Sequence, residues 1–168
     1  IDDGDGGTFS FESSQYSVTE GDGQDTTVTL TVTREGYTSE DFTVTYNVSS
    51  ETALAGEDFE AVASNVSFAD GQNSATFTVM VRDDHLFEFP DEAFRASLTG
   101  VFYGAEARDA TYLQGVGALR RSPYIDAPNN ATVVVHDDGD AGTLQFAQAS
   151  WLTAEPMSDN STLVIISL

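Results

Sequence analysis

Polar and apolar residues alternate along most of the chain up to Val135 with the period of two that sends successive side chains to opposite faces of a strand. Val28, Leu30 and Val32 share one phase, and Thr27, Thr29, Thr31 and Thr33 the other. Phe42, Val44, Tyr46 and Val48 repeat the pattern, followed by Val66 with Phe68, then Ala75, Phe77, Val79 and Val81, then Phe94, Ala96 and Leu98, and last Ala131 to Val135. Clusters of Gly, Asp and Asn separate the runs at Gly21-Asp22-Gly23, Glu35-Gly36 and Asp70-Gly71-Gln72-Asn73. Helical periodicity is nearly absent. About seven short strands in roughly 130 residues predict an all-β antiparallel sandwich with one buried face per sheet.

Residues 103–129 break the rhythm and are expected to form a long insertion in the last hairpin, carrying Arg108, Arg120 and Arg121 together with Pro123 and Pro128. Connections of that length are often binding surfaces, although a tolerated insertion is the simpler reading. The opening phrase Asp2-Asp3-Gly4-Asp5-Gly6-Gly7-Thr8-Phe9-Ser10-Phe11 returns as Asp137-Asp138-Gly139-Asp140-Ala141-Gly142-Thr143-Leu144-Gln145-Phe146, an offset of 137 − 2 = 135 residues. With the same offset Tyr16 falls on Trp151 and Glu20 on Glu155. A tandem repeat is expected: residues 1–6 as the tail of a preceding repeat or linker, 7–141 as one complete domain, and 142–168 as the first strands of the next. Strands such as Leu163 to Ile166 cannot bury themselves alone. Either the chain continues past Leu168, the simpler expectation, or these strands pair with a second copy and build a fibre by strand addition.

Charge narrows the function. Among 168 residues there are 28 acidic and 6 basic ones, the latter all Arg, for a net charge of −22. That surface repels nucleic acid and anionic lipid, and no apolar run is long enough for a membrane helix. With 40% hydrophobic and 11% aromatic residues the chain has a core and is not an acidic disordered tail. The acids are clustered as well as numerous. Asp83-Asp84-His85-Leu86-Phe87-Glu88-Phe89-Pro90-Asp91-Glu92 hangs between two strand patterns, and oxygen-only crowding of this kind suits Ca²⁺, a hard cation with six to eight oxygen ligands. Glu12, Asp22, Asp25, Glu35, Glu40, Asp41, Glu51, Glu57 and Glu60 read most simply as solvated turn or edge acids. Without cysteine there is neither a disulfide nor a thiolate site, and His85 with His136 is a poor zinc set. No nucleophile elbow and no pair of carboxyls with separated environments is present, so no enzyme is expected.

The succession Gly7-Thr8-Phe9-Ser10-Phe11, Val18-Thr19-Glu20, Ala53-Leu54-Ala55-Gly56-Glu57-Asp58-Phe59, Val66-Ser67-Phe68-Ala69-Asp70-Gly71, Val81-Arg82-Asp83-Asp84, Glu88, Asp91-Glu92-Ala93-Phe94 and Val135-His136-Asp137-Asp138 resembles a Calx-beta domain over nearly all of residues 7–141. The resemblance implies an immunoglobulin-like sandwich that binds Ca²⁺ at one end. It implies a ligand set of Glu20, Asp58, Asp83, Asp84, the carbonyl of Leu86, Glu88, Glu92, Asp137 and Asp138. Two departures touch that set. Gly139 stands where the family often has a third consecutive Asp, with Asp140 following it, and one extra residue beside Pro90 leaves both Asp91 and Glu92 as candidates, Glu92 preferred.

Four of the six asparagines lie in glycosylation tripeptides, at Asn47, Asn65, Asn130 and Asn160, which favours a secreted glycoprotein. The expected function is a calcium-stiffened repeat of a large extracellular adhesion, matrix or surface-filament protein, with neighbouring repeats as partners. A regulatory Ca²⁺ sensor of a membrane transporter and a Ca²⁺-dependent glycan-binding module are the alternatives.

Overall fold

The computed structural model describes residues 7–21, 23–83, 89–104 and 123–139. Those residues form nine strands: β1 (Thr8–Phe11), β2 (Gln15–Thr19), β3 (Thr26–Glu35), β4 (Phe42–Ser50), β5 (Ala63–Phe68), β6 (Ser74–Val81), β7 (Glu92–Tyr103), β8 (Tyr124–Ile125) and β9 (Asn130–His136). Two sheets face each other, one ordered β6-β3-β1-β8 and the other β2-β9-β7-β4-β5. Each expected apolar run lies inward: Leu30 and Val32, Phe42 and Val44, Val66 and Phe68, Val79 and Val81, Phe94 and Ala96, Val133 and Val135 are all buried between the sheets. No helix among the described residues is long and apolar enough to cross a membrane.

Three features depart from seven antiparallel strands. The N-terminal stretch from Thr8 to Thr19 forms two strands, β1 and β2, which belong to different sheets. The change-over occurs at Glu12-Ser13-Ser14, where the Ser13 hydroxyl accepts a bond from the Gln15 amide at 3.1 Å and bends the chain. Accordingly the inward phase shifts, from Phe9 and Phe11 to Tyr16 and Val18. Second, β2 pairs with β9 in parallel, from Gln15 opposite Thr132 to Thr19 opposite His136. Third, the last part of the expected 103–129 insertion is built into the fold: β8 lies parallel to β1, and the amide of Asp126 donates to the carbonyl of Phe9 at 2.9 Å. Residues 105–122 and 142–168, with the expected next repeat, lie outside the described residues.

The registers set two ends. β2, β4, β6 and β9 all run toward one end, where β3 and β7 begin. At the other end Gly7 starts β1 opposite the close of β3, with φ at +70°, and a Cβ there would stand 2.9 Å from the Tyr37 carbonyl oxygen. Only glycine fits both conditions. The same end is closed by Arg34, 3% exposed, whose side chain lies on the inward phase of β3. Its guanidinium sits 4.4 Å over the Phe42 ring, and it donates from Nε to the carbonyl of Tyr37 at 2.9 Å and from Nη1 to that of Glu40 at 3.1 Å. Burial lowers its pKa from the ordinary value, and Asp70 opposes that shift.

Phe59 anchors the loop between β4 and β5. It is fully buried, stacks on Phe94 at 4.4 Å between ring centroids, and bridges to Val81 at the end of β6. Replacing Phe59 by Ala should cost about 3–5 kcal/mol. Urea unfolding should show this as a lower midpoint with an unchanged slope; a cost under about 1 kcal/mol would mean that the loop is held by its backbone bonds alone.

Candidate metal centre

The end toward which β2, β6 and β9 run gathers acids from five separate stretches of chain. Glu20 follows β2, and its amide donates to the carbonyl of His136 at 2.9 Å, which seats it beside Asp137 and Asp138 after β9. Asp91 and Glu92 enter β7 alongside, with Glu92 opposite Val135. Across the sandwich, Asp83 follows β6, and Asp58 reaches it through the backbone bond from the Arg82 amide to the Asp58 carbonyl at 2.8 Å. Strand register thus brings together acids that are up to 118 residues apart in the chain, 138 − 20.

Several of these carboxylates are already oriented by backbone donors. Asp58 is buried, at 7% exposure, and its Oδ2 accepts from the Leu54 amide at 2.6 Å. Oδ1 of Asp83 accepts from the Gly23 amide at 3.1 Å, and Oδ1 of Asp137 from the Gly139 amide at 2.8 Å. The two acids at the start of β7 diverge. Glu92 takes the inner phase with Val135 and its Oε2 is shielded from solvent, while Asp91, on the outer phase, meets His136 with Oδ2 2.7 Å from Nδ1.

Asp25, which reads from sequence as a solvated turn acid, belongs to this end: its Oδ1 accepts from the Asp83 amide at 3.2 Å. The signal for it was positional, because Asp25 immediately precedes the strand whose first residue, Thr26, pairs with the last residue of β6. Glu51, by contrast, is spent on an ion pair with Arg95, and Asp41 accepts from the Asp70 amide at the opposite end.

The donors are all carboxylate oxygens, the chemistry of a hard cation and not of zinc or copper. Among the described residues no three acid or histidine side chains converge closely enough to hold a metal ion by themselves. Asp84, Leu86, Glu88 and Asp140 lie outside the described residues. The described acids therefore form a rim whose chemistry fits a calcium-type ion.

Among known families, the Calx-beta domain matches residues 2–139. Sodium/calcium exchanger 1 of Canis lupus familiaris is 34% identical over 142 residues, covering 82% of this chain and 14% of the exchanger. Extracellular matrix protein 3 of Lytechinus variegatus is 37% identical over 107 residues, 63% of this chain and 3% of that protein. The chain thus spans a small part of the curated relatives it matches. Among solved structures, one described as the calcium binding domain CBD12 of CALX1.1 is similar with a TM-score of 0.58 and 29% identity, over 77% of this chain and 44% of that one.

Proposed function

Because the chain belongs to the Calx-beta family, we propose that it is a calcium-binding repeat of a large extracellular adhesion, matrix or surface-filament protein, stiffened by Ca²⁺ where one domain joins the next. One observation carries this reading. The described chain starts at Gly7 at one end of the sandwich and leaves through Asp137-Asp138 at the other, inside the acid rim. A cation held there touches the outgoing chain itself. The ligands are Glu20, Asp58, Asp83, Glu92, Asp137 and Asp138, with Asp84, the Leu86 carbonyl and Glu88 completing the set and Asp140 at its margin. Asp91 serves His136. Bound Ca²⁺ would supply positive charge that offsets the negative charge these carboxylates bring to one end of the sandwich. The protein's own part is to pre-orient Asp58, Asp83 and Asp137 through the amides of Leu54, Gly23 and Gly139.

The similarity to a sodium/calcium exchanger favours a second reading, a regulatory sensor attached to a membrane transporter. Affinity separates the two. Calorimetric titration should give several Ca²⁺ per chain with dissociation constants of about 10⁻⁴–10⁻³ M for an extracellular module, and about 10⁻⁷–10⁻⁵ M for a sensor. Absence of binding heat at millimolar Ca²⁺ would sink both.

A further inference from the structure

Three acceptor tripeptides fall within the described residues, and all three occupy the same face. In Asn47-Val48-Ser49 on β4, Asn65-Val66-Ser67 on β5 and Asn130-Ala131-Thr132 on β9, the middle residue is buried in the core, which turns the asparagine and the hydroxyl residue outward. Asn47, Asn65 and Asn130 are each exposed. Asn47 stands opposite Ser97, and Ser97 opposite Asn130, so two of the acceptors share one cross-sheet row with a single strand between them, about 10 Å apart at the strand spacing. Asn65 stands opposite Thr45, one pleat along, on the edge strand β5.

That edge has a problem of its own. β5 and β6 are the edges of the two sheets on the same open side of the sandwich, and a groove lined by Asn65, Ser67, Gln72, Ser74 and Phe77 runs between them. Neither ASNVSF nor SATFTVMV contains a charged residue or a proline, although the chain as a whole carries −22. Exposed edges are normally blunted by charge, by proline or by a cover, since their free backbone groups invite pairing with another chain. An oligosaccharide on Asn65 would be such a cover.

We propose that the outward face of the five-stranded sheet is the glycan-bearing face of this domain, with N-linked oligosaccharides on Asn47, Asn65 and Asn130 and with the one on Asn65 screening the β5 edge. The proposal rests on the extracellular part of the reading above. In the transfer, Nδ2 of the asparagine loses a proton and bonds to the anomeric carbon of an oligosaccharide, while the bond from that carbon to a lipid-linked diphosphate breaks and the diphosphate leaves. Contacts with neighbours then fall to the two ends and to the outer face of the four-stranded sheet.

The test is secretion of the 168-residue chain from a eukaryotic cell behind a leader peptide, followed by intact mass before and after an amidase that cleaves the asparagine–sugar bond. The secreted chain should exceed 18.0 kDa and return to it on digestion. Asn47→Gln, Asn65→Gln and Asn130→Gln should each remove one glycan; Thr132→Ala should match Asn130→Gln, while Thr132→Ser keeps the glycan and so controls for misfolding. Asn65→Gln should also increase self-association in size-exclusion chromatography. A secreted chain at bare polypeptide mass, or one modified only at Asn160, overturns the proposal. Calcium titration of the same sample keeps the readings apart: calcium heat on a bare chain removes only the glycans, and glycans without calcium heat remove only the metal.

Discussion

In about 10 mM Ca²⁺ the chain should unfold on the order of 10 °C higher than in chelator, and Mg²⁺ should reproduce little of that rise. A single site held at 100 times its dissociation constant adds about 2.7 kcal/mol to the folded state, and each kcal/mol moves the midpoint of a domain of this size by roughly 4 °C. Mg²⁺ is the discriminating control because it demands near-ideal octahedral geometry and gives up its water reluctantly, whereas a rim assembled from several loops suits a larger and more tolerant ion. Asp83→Asn and Asp58→Asn separate charge from structure. In chelator, removing one of several crowded carboxylates relieves repulsion, so each variant should unfold at or above the parent temperature. With Ca²⁺ the order should reverse, because a ligand is gone. Equal midpoints for the parent chain with and without Ca²⁺ would show that the acids only solvate the surface.

The second large effect belongs to the opposite end. Replacing Arg34 by Ala should destabilise the domain by about 3–5 kcal/mol, read from urea unfolding, because it strips charge-assisted partners from part-buried carbonyls, empties a buried side-chain position and removes the cation from the aromatic faces. Arg34 donates to Tyr37 and Glu40 while lying over Phe42 and within 5.7 Å of the Phe9 ring centroid. Glu40 holds a positive φ of 97°, a conformation kept only if its surroundings impose it. Arg34→Lys should recover less than half of the loss, since an ammonium group cannot reach two divergent carbonyls as a planar fork does. Recovery to parental stability by Lys would mean that the charge alone matters and that the fork geometry does not.

Much of this molecule can be read from alternation, because in a half-buried strand the phase of a residue is its environment. Val28, Leu30 and Val32 announce the inner face of β3, and Arg34 continues that phase: a charged residue in an apolar register, legible as a buried cation although its partners are not. The same logic separates Glu92 from Asp91, because Glu92 shares the phase of Phe94, Ala96 and Leu98. The separation of β1 from β2 is also written in the chain, as the slip from odd to even inward positions between Phe11 and Tyr16. Pairing between distant strands was less accessible. β8 is two residues long, too short for any period, and it is defined by its neighbour β1 and by the bond from the Asp126 amide. Asp25 eluded sequence reading for a related reason, since it joins the acid rim through a backbone amide 58 residues away. Local pattern determines which side of a sheet a residue faces, but only register determines what lies beside it.

The parallel pairing of β2 with β9 bears on how a string of such domains would carry load. Tension applied at Gly7 and at Gly139 pulls the chain toward opposite ends of the sandwich, and it reaches β2 through β1 and β9 directly. Two parallel strands drawn in opposite directions slide along their common axis, so the ladder from Gln15–Thr132 to Thr19–His136 is strained all at once, in shear. An antiparallel terminal pair loaded at one end would instead peel open bond by bond. Of the two parallel pairings that interrupt an antiparallel sandwich, the one between β2 and β9 is thus what makes it a mechanical clamp.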